Sequence, residues 1–327
     1  MEEYQQLVQD VLETGTYKPN RTSFDTISDF GYSYQIDISE GTPIVTTKKF
    51  FWNSFIHELV WYLSGESHIR TLQEETSIWD EWSEDGLVET SYARFWRRFP
   101  LANHKVDGEA WVDDSDREEW LNDDGETFDQ IQYILDMLQE NPQSRRIILN
   151  AWHPANAAVS KLPPCHFTAV FNVQGDGTLN CHLTQRSGDI ALGIPFNIAG
   201  YTLLTQVLAE QAGLEPGTFS HTIVDAHIYC GDEDRGEWYE ENLETVQELL
   251  QVDGPETARR FIEDEAPDEQ TENSDHIPGL LELLTRTPRD RPTVEFPTDK
   301  DIFELEADDF ELTSYNPHPS IRFAVAE

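Results

Sequence analysis

One cysteine and one arginine in this chain are spaced so that a nucleophile and an activating positive charge could meet. Cys165 follows the stiff pair Pro163-Pro164 before a predicted strand, and Arg186 follows the strand that returns to it. A nearby cation lowers the pKa of a thiol from about 8.5 toward neutral, which favours a nucleophilic Cys165. The alternative is a buried and inert cysteine, the usual state of this residue type. Local features alone do not decide between the two.

The two strands belong to one predicted hairpin. Residues 166–173 and 179–185 have the composition of strands, and Gly175-Asp176-Gly177 lies between them as a turn. A loop centred on positions 175–176 pairs residues whose numbers sum to 351, which places Cys165 opposite Arg186. A three-residue loop makes Ser187 the partner instead, because a slip of one residue changes every pair.

Further candidates are charged or aromatic. Four arginines near turns, Arg21, Arg145, Arg146 and Arg186, favour an anion site over ordinary salt bridges, because a dianionic phosphate binds several guanidinium groups at once. Glu58 stands among large apolar residues. It is either an acid or base of raised pKa or a carboxylate paired inside the fold. The aromatic pair in Trp79-Asp80-Glu81-Trp82 could stack on a flat heterocycle, although such clusters more often belong to the core.

Helices and strands of recognisable period must position these residues. Apolar spacing with glycine or proline stops predicts helices over residues 2–14, 52–63, 128–139 and 197–212. Gly193-Ile194-Pro195 forms a turn before the last helix, so Asn197 at its start is expected to face whatever the hairpin holds. Residues 147–152 predict another strand directly after Arg145-Arg146.

The chain is strongly acidic, since 22 Lys and Arg against 63 Asp and Glu give a formal charge of −41. Nucleic acids and anionic membranes attract basic proteins, so neither is an expected partner. Only six of the basic residues are Lys. Few lysines beside an excess of acids indicate a protein of salt-rich cytoplasm, where screening tolerates self-repulsion.

The location and the cysteine chemistry follow from what the sequence contains. It has no run of about 20 apolar residues, and Met1-Glu2-Glu3 is unlike a signal peptide, so we expect a cytoplasmic protein. Three cysteines without CxxC spacing argue against a disulfide framework and against a zinc site. We therefore expect no metal, and we expect Cys181 and Cys230 to be buried and inert.

Acidic residues concentrate in two stretches that look inserted. Residues 101–127 hold ten acids and two bases, and residues 232–275 hold 17 acids and three bases. The rest of the chain still has more acids than bases. The acidity is therefore expected over the whole surface and is only denser in these two acidic insertions.

Ten short motifs follow one another between Tyr4 and Val325. They are Arg21-Thr22, Thr46-Thr47-Lys48, Ile56-His57-Glu58-Leu59 with Trp61, Ile78-Trp79-Asp80-Glu81-Trp82, Ser144-Arg145-Arg146-Ile147, Pro164-Cys165-His166, Gln185-Arg186-Ser187-Gly188-Asp189, Leu192-Gly193-Ile194-Pro195-Phe196-Asn197, Asp225-Ala226-His227-Ile228-Tyr229 and Tyr315-Asn316-Pro317-His318-Pro319. One such match is weak evidence, whereas this ordered set resembles the thymidylate synthase family specifically.

The resemblance implies an α+β fold in which a mixed β-sheet has helices packed on one side. It implies a single domain over residues 1–327 that forms a homodimer through the sheet. The implied reaction is reductive methylation of dUMP to dTMP, with 5,10-methylenetetrahydrofolate as the donor of the one-carbon unit and the hydride. No metal takes part.

The resemblance also implies residue roles. Cys165 adds to C6 of the pyrimidine, Glu58 organises water and proton transfer, and Tyr92 helps to remove the C5 proton; Arg186 and Asn197 complete the catalytic set. The dUMP-binding set is Arg21, Arg145, Arg146, Arg186, Ser187, Gly188, Asp189, Asn197, His227 and Tyr229, with Arg145 and Arg146 supplied by the partner subunit. The folate-binding set is Trp79, Asp189, Gly193 and Ala326.

The chain departs from the family pattern at two motifs. Ser23-Phe24-Asp25-Thr26 replaces Gly-Thr-Gly-Thr, and Cys230-Gly231-Asp232 follows Tyr229 in place of Asn-His.

Two rival functions remain open. One rival is a hydroxymethylase of the same fold, which uses water instead of hydride and often prefers dCMP. Asn197 favours uracil over cytosine, because its amide can pair with O4 and N3–H. The other rival is a catalytically silent nucleotide-binding protein, which an intact Cys165 counts against.

Overall fold

This computed structural model describes residues 1–20, 23–88, 91–101, 105–106, 109–110 and 118–326. The helices of this part of the chain are α1 Glu2–Thr14, α2 Trp52–Ser64, α3 Tyr92–Arg97, α4 Gln130–Glu140, α5 Pro154–Ala157, α6 Gly193–Ala212, α7 Glu233–Asp253, α8 Pro255–Glu265 and α9 Ile277–Leu284. Its strands are β1 Thr16–Lys18, β2 Phe24–Asp37, β3 Phe99–Pro100, β4 Lys105–Val106, β5 Glu109–Ala110, β6 Thr127–Phe128, β7 Ile148–Asn150, β8 His166–Val173, β9 Thr178–Gln185, β10 Gly188–Asp189, β11 Glu215–Asp232, β12 Thr293–Glu295 and β13 Glu311–Thr313.

A seven-stranded mixed sheet forms the centre of the fold. Its strand order is β1-β2-β11-β9-β8-β7, and β10 pairs with β11 beside that path. The long strand β11 is parallel to β9 and β10 but antiparallel to β2. Helices α1, α6 and α7 pack against these central strands. The expected α+β fold with a mixed sheet is therefore confirmed.

Burial alternates along the strands, as it does in a sheet with one covered face. In β9, Leu179, Cys181 and Leu183 are buried toward the helices, while the residues between them are partly exposed. Two rows of paired residues cross the opposite face, which we call the open face. The first row is Gln35, Ser220, His182, Val170 and Ile148, and the second is Ser33, Thr222, Thr184, Thr168 and Asn150. Apart from His182, whose pKa burial lowers, these side chains carry no ionisable group.

The hairpin of β8 and β9 contains both of the registers that were predicted from its turn. Most of its pairs sum to 352, as in Phe171 with Cys181, which is the register of the three-residue loop and not the sum of 351. An irregularity between His166 and Thr168 then moves the pairing by one residue, and His166 faces Gln185. Such a bulge inserts one extra residue into one strand. It brings the end of the hairpin to the sum of 351, with Cys165 beside Arg186.

Two predicted helix starts need correction. Helix α4 begins at Gln130 and not at residue 128, because Asp129 caps it and Phe128 pairs with Phe99 in a short strand. Helix α6 begins at Gly193, so the expected turn is already helical. Pro195 is tolerated there because the first turn of a helix leaves its N–H groups without helical partners.

The acidic stretch 232–275 folds as an excursion from the end of β11, which we define as residues 230–275. Helices α7 and α8 fill it. Its two ends meet, because the backbones of Cys230 and Asp275 pair in an isolated antiparallel β-bridge. The backbone N–H of His276 then donates to the carbonyl oxygen of Tyr229 at 3.0 Å. Tyr239 and Ile262 are fully buried, so the excursion adds core as well as acidic surface. Of the other stretch, 101–127, residues 102–104, 107–108 and 111–117 lie outside the described residues.

Candidate active site

Cys165 lies directly before β8, and its backbone is held from two sides. Its N–H donates to the hydroxyl of Tyr92 at 2.7 Å, and its carbonyl oxygen accepts from the N–H of Arg186 at 2.9 Å. The side chain is partly exposed, whereas burial raises the pKa of Cys181 to about 12 and that of Cys230 well above its ordinary value. The expectation that those two are buried is confirmed, and Cys165 is the accessible thiol of the three.

The guanidinium of Arg186 lies along the proline pair that precedes the cysteine. Its Nε donates to the carbonyl oxygen of Pro164 at 2.9 Å, and its Nη2 donates to that of Pro163 at 2.6 Å. Within the described part of the chain no carboxylate pairs with it. The hairpin therefore sets Arg186 beside Cys165 through their backbone hydrogen bond, in the pairing that the spacing predicted.

Aromatic rings surround the nucleophile on the side of α2 and α3. The ring of Tyr92 stacks on that of His166, and the His166 Nδ1 lies 2.9 Å from the Tyr201 hydroxyl. Burial lowers the pKa of His166 to about 3, so this imidazole is neutral near pH 7. His166 is therefore a packing and orienting group, whereas the Tyr92 hydroxyl contacts Cys165.

Glu58 lies close to the same cluster. Its Oε1 accepts from Trp79 Nε1 at 2.6 Å and from the Tyr62 hydroxyl at 2.8 Å. Burial raises the pKa of Glu58 to about 7, and the two hydrogen bonds oppose that shift only in part. Glu58 is thus both paired and of raised pKa, which suits a proton carrier near neutral pH. A cavity of about 10 Å³ between Glu58, His166 and Asn197 has roughly the size that holds one water.

Asn197 is oriented by a relay of buried polar groups. Its Oδ1 accepts from Gln185 Nε2 at 3.0 Å, and the Gln185 Oε1 lies 3.1 Å from His221 Nε2. The other ring nitrogen, His221 Nδ1, lies 2.8 Å from the hydroxyl of Tyr34. Burial lowers the pKa of His221 to about 3, so one nitrogen donates to Gln185 and the other accepts from Tyr34. The Asn197 Nδ2 is left to present N–H donors.

Ser187, Gly188 and His227 meet where β10 runs beside β11. Ser187 Oγ lies 3.4 Å from His227 Nδ1, and the His227 ring is 5.1 Å from that of Tyr229. A Cβ on Gly188 would stand 2.6 Å from Ile194 Cδ1 and 3.0 Å from Ile223 Cγ2, so a larger residue would force these buried side chains to shift. The structure therefore groups these four predicted dUMP ligands beside Arg186.

The remaining predicted phosphate ligands are elsewhere. Arg21 lies outside the described residues. Arg145 and Arg146 are exposed before β7, and neither guanidinium forms a hydrogen bond or ion pair with any residue that the structure describes. In a chain with so many carboxylates, two exposed arginines without a carboxylate partner are available for an external anion.

The predicted folate residues surround Asp189. Its Oδ1 accepts from the N–H groups of Ala191 and Leu192 at 2.8 and 3.2 Å, and its side chain is 19% exposed. The buried Lys48 donates from Nζ to the carbonyl oxygen of Ala191, and burial lowers its pKa to about 8. Gly193 opens α6 beside Asp189, and Ala326 is buried at the end of the described chain. Trp79 is mostly buried and packs on Trp61 and Tyr92, so much of its surface belongs to the core.

Several residues of this site were not singled out from the sequence. Gln185 and Lys48 stood only inside motifs, and Tyr34 and His221 gave no signal before the sheet register was known. His276 is the most informative, since it lies against Tyr229 where Asn-His was expected. The boundaries of the acidic excursion could have revealed it, because Ser274-Asp275-His276 closes that stretch.

Two negative observations concern the described residues. They contain no group of three or more His, Cys, Asp or Glu arranged to hold a metal ion. None of the helices in this part of the chain is long and apolar enough to cross a membrane.

A mixed sheet that sets a partly exposed cysteine, an arginine without a carboxylate partner among the described residues and an oriented amide close together suits a transferase acting on an anionic, planar substrate. The family model described as thymidylate synthase matches residues 2–327, and the chain belongs to the thymidylate synthase family. It is 56% identical to a thymidylate synthase of the halophile Haloferax volcanii, over 98% of this chain and 95% of that protein. The family methylates dUMP reductively, with 5,10-methylenetetrahydrofolate as co-substrate.

Proposed function

We propose that this chain converts dUMP to dTMP, with Cys165 as the nucleophile that adds to C6 of uracil. The observation that carries the proposal is the position of Cys165, which is partly exposed and clamped between Tyr92 and Arg186. Thiolate addition at C6 turns C5 into an enolate carbon that attacks an electrophilic one-carbon unit. The reduced folate supplies that unit and, later, a hydride.

The proton transfers fall to two groups near the thiol. The Tyr92 hydroxyl already accepts a hydrogen bond at Cys165, and it is placed to relay the proton that leaves C5. Glu58, with a pKa of about 7, is available as both acid and base at neutral pH. The small cavity between Glu58 and Asn197 gives one water a place to connect them.

Substrate choice rests on the orientation of Asn197. The relay through Gln185 leaves its Nδ2 as a donor, which pairs with a carbonyl such as uracil O4 and opposes the 4-amino group of cytosine. This supports dUMP over dCMP and disfavours the hydroxymethylase with a cytosine preference. Arg186, Ser187, His227 and Tyr229 would hold the phosphate and the sugar.

The folate is proposed to bind at Asp189. The residues present fit a reduced pterin, because the partly exposed Asp189 carboxylate is an acceptor and the nearby buried Nδ1 of His276 is an acceptor without a donor among the described residues. Trp79, Gly193 and Ala326 complete this site in the proposal. No metal enters the proposed reaction.

The open face is proposed as the surface of a homodimer. Its two rows are uncharged in a chain with a formal charge of −41, and Phe30, on the strand β2 that crosses it, is 86% exposed. An uncharged face lets two acidic copies meet without added repulsion. Ile148 of the first row follows Arg145 and Arg146 closely. A partner docked here therefore brings these arginines toward the neighbouring site, while each subunit supplies its own Arg21.

The reaction is tested with purified protein, dUMP and methylenetetrahydrofolate. Formation of dihydrofolate together with dTMP supports the proposal. A hydroxymethylated product without dihydrofolate would identify the hydroxymethylase, and nucleotide binding without either product would identify a silent protein. The assay is run across salt concentrations, because an acidic protein can be inactive at low salt.

The shared site is tested by mixing inactive subunits. A Cys165→Ser subunit and an Arg145→Ala/Arg146→Ala subunit form mixed dimers in which one site has an intact thiol and the partner's arginines. Recovery of activity on mixing supports donation across the interface. If both arginines serve their own subunit, mixing restores nothing. From the acidity and the reaction together, we also infer a cytoplasmic location.

A further inference from the structure

His276 ends the acidic excursion and connects three parts of the candidate site. It is fully buried, and its backbone N–H donates to the carbonyl oxygen of Tyr229 at 3.0 Å. Its Nε2 lies 3.0 Å from the carbonyl oxygen of Ala324 in the C-terminal segment. Its ring also packs edge-on against Tyr229 and at 4.9 Å from the ring of Phe323. The residue thus touches a predicted nucleotide ligand and the C-terminal segment at once.

The other ring nitrogen, Nδ1, has no hydrogen-bond partner among the residues that the structure describes. A carbonyl oxygen can only accept, so the contact with Ala324 requires the hydrogen on Nε2. Burial lowers the pKa of His276, and Lys48 and His227 lower it further, while Asp189 and the Ala324 contact oppose the shift. The ring is therefore neutral, and Nδ1 carries a buried lone pair without a hydrogen-bond donor among the described residues.

That lone pair faces a second acceptor. Nδ1 lies 3.9 Å from Asp189 Oδ1, which already accepts the N–H groups of Ala191 and Leu192. The other oxygen, Asp189 Oδ2, has no hydrogen bond within the part of the chain that the structure describes. A buried acceptor without a donor, such as His276 Nδ1, is costly unless a ligand supplies the donor. The neighbouring Asp189 carboxylate is 19% exposed and is open to the same ligand.

We propose that His276 is a folate-binding residue, whose Nδ1 accepts a hydrogen bond from the pterin ring while Asp189 accepts the adjacent one. This rests on the proposed function. The pyrimidinone edge of a reduced pterin carries a ring N–H beside an amino group, which are two adjacent donors for two adjacent acceptors. The C-terminal segment takes part indirectly, because the Ala324 carbonyl fixes which nitrogen of His276 accepts.

Three substitutions separate the two nitrogens of the ring. In His276→Asn the amide reaches the position of Nδ1 and keeps an acceptor for the pterin. In His276→Gln it reaches the position of Nε2 and keeps the donor for Ala324, with nothing toward Asp189. His276→Phe removes both groups.

We expect His276→Gln and His276→Phe to raise the KM for the folate about tenfold or more, the loss typical of one buried hydrogen bond. The KM for dUMP should stay within about twofold, and His276→Asn should keep most of the folate affinity. If the role is only to hold the C-terminal segment, Gln rescues and Asn does not. That result overturns the proposal, and so does an equal rise in the KM values for the folate and for dUMP.

A measurement on the unaltered protein covers the case in which a variant fails to fold. The chain has 10 histidines, and ¹⁵N labelling reports the hydrogen bonding of each unprotonated ring nitrogen. Adding dihydrofolate to the dUMP complex should shift the Nδ1 signal of His276. Absence of a shift at saturating folate overturns the proposal. This titration needs no turnover, so it is independent of whether the proposed reaction occurs.

Discussion

The rings of Tyr92 and His166 lie parallel, with 3.7 Å between their centroids and 4° between their planes. Because His166 directly follows Cys165, the stack fixes the Tyr92 hydroxyl relative to the thiol. The 2.7 Å hydrogen bond from the Cys165 N–H shows where that hydroxyl lies. One oxygen thus serves as a backbone partner and as the proposed path for the C5 proton.

Tyr92→Phe should separate these two contributions. The Cys165 N–H loses its partner, which lowers the free energy of unfolding by about 1–3 kcal/mol. Loss of the proton path should lower kcat about a hundredfold, with dUMP affinity nearly unchanged. Release of tritium from C5-labelled dUMP measures the proton step, and urea unfolding measures stability. Tyr201→Phe is the matched control, since its hydroxyl contacts His166 and not Cys165; equal kcat losses in both variants would contradict the assignment.

Cys165→Ser should abolish dTMP formation and leave nucleotide binding intact. A serine hydroxyl is not ionised near pH 7, whereas the phosphate and base contacts do not involve the sulfur. Activity should fall below about one hundredth of the starting value, and dUMP titration should give a similar Kd. Cys181→Ala is the control, because that buried thiol has no place in the reaction. A serine variant of higher activity would remove the nucleophile from Cys165.

Asn197→Asp should shift the preference from dUMP toward dCMP. Gln185 still donates to one carboxylate oxygen, but the other now repels uracil O4 and can accept from the cytosine amino group. We expect the ratio of dUMP to dCMP affinity to fall about tenfold or more. Competitive titration of the two nucleotides measures it. An unchanged ratio would show that Asn197 does not contact the base.

Glu58→Gln should change how stability depends on pH. Folding raises the pKa of Glu58 from 4.5 to about 7, so the folded state binds the proton more tightly than the unfolded state. The unfolding free energy of the unaltered protein, relative to the variant, should therefore fall as pH rises from about 4.5 to 7 and stay level outside that window. The full change is on the order of 3 kcal/mol. Urea unfolding of both proteins at four pH values tests this, and a difference that does not vary with pH would contradict it.

Salt should stabilise the fold while it weakens nucleotide binding. With a formal charge of −41, repulsion acts over a Debye length of about 30 Å at 0.01 M salt but only about 3 Å at 1 M. The same screening reduces the attraction of Arg186 and the other arginines for the phosphate. Thermal unfolding and dUMP titration from about 0.05 to 3 M KCl separate the two effects. Because the effects oppose each other, enzyme activity should have a broad maximum at high salt. A Tm independent of KCl would rule out the adaptation to salt, which the similarity to a protein of a halophile otherwise supports.

Local patterns were sufficient for most helices and for the hairpin that carries Cys165. The start of α6 was missed, and the hairpin register was left open between two values, for physical reasons. Proline is compatible with the first helical turn, so Gly193-Ile194-Pro195 does not distinguish a turn from a helix start. A bulge near Phe167 depends on how the hairpin meets its neighbours and has no local sequence signal.

The residues of the candidate site divide in the same way, into those that the sequence identifies and those that only the fold brings together. Cys165, Glu58 and Arg186 were identified by residue type, neighbours and resemblance. Gln185, His221 and Tyr34 act together only because three strands align in the sheet, so their relay depends on register. His276 is far from Tyr229 in sequence and reaches it only after the excursion has folded, so its one sequence signal was the end of the acidic stretch.

The adjacent ends of residues 230–275 bear on how this fold tolerates changes of length. A segment whose ends already touch closes a loop, and each doubling of a flexible loop's length costs only about 0.6 kcal/mol of chain entropy. Buried side chains such as Tyr239 and Ile262 offset that cost from within the segment itself. The junction of Cys230 with Asp275 is therefore a point where chain length can change while the distance from Tyr229 to His276 does not.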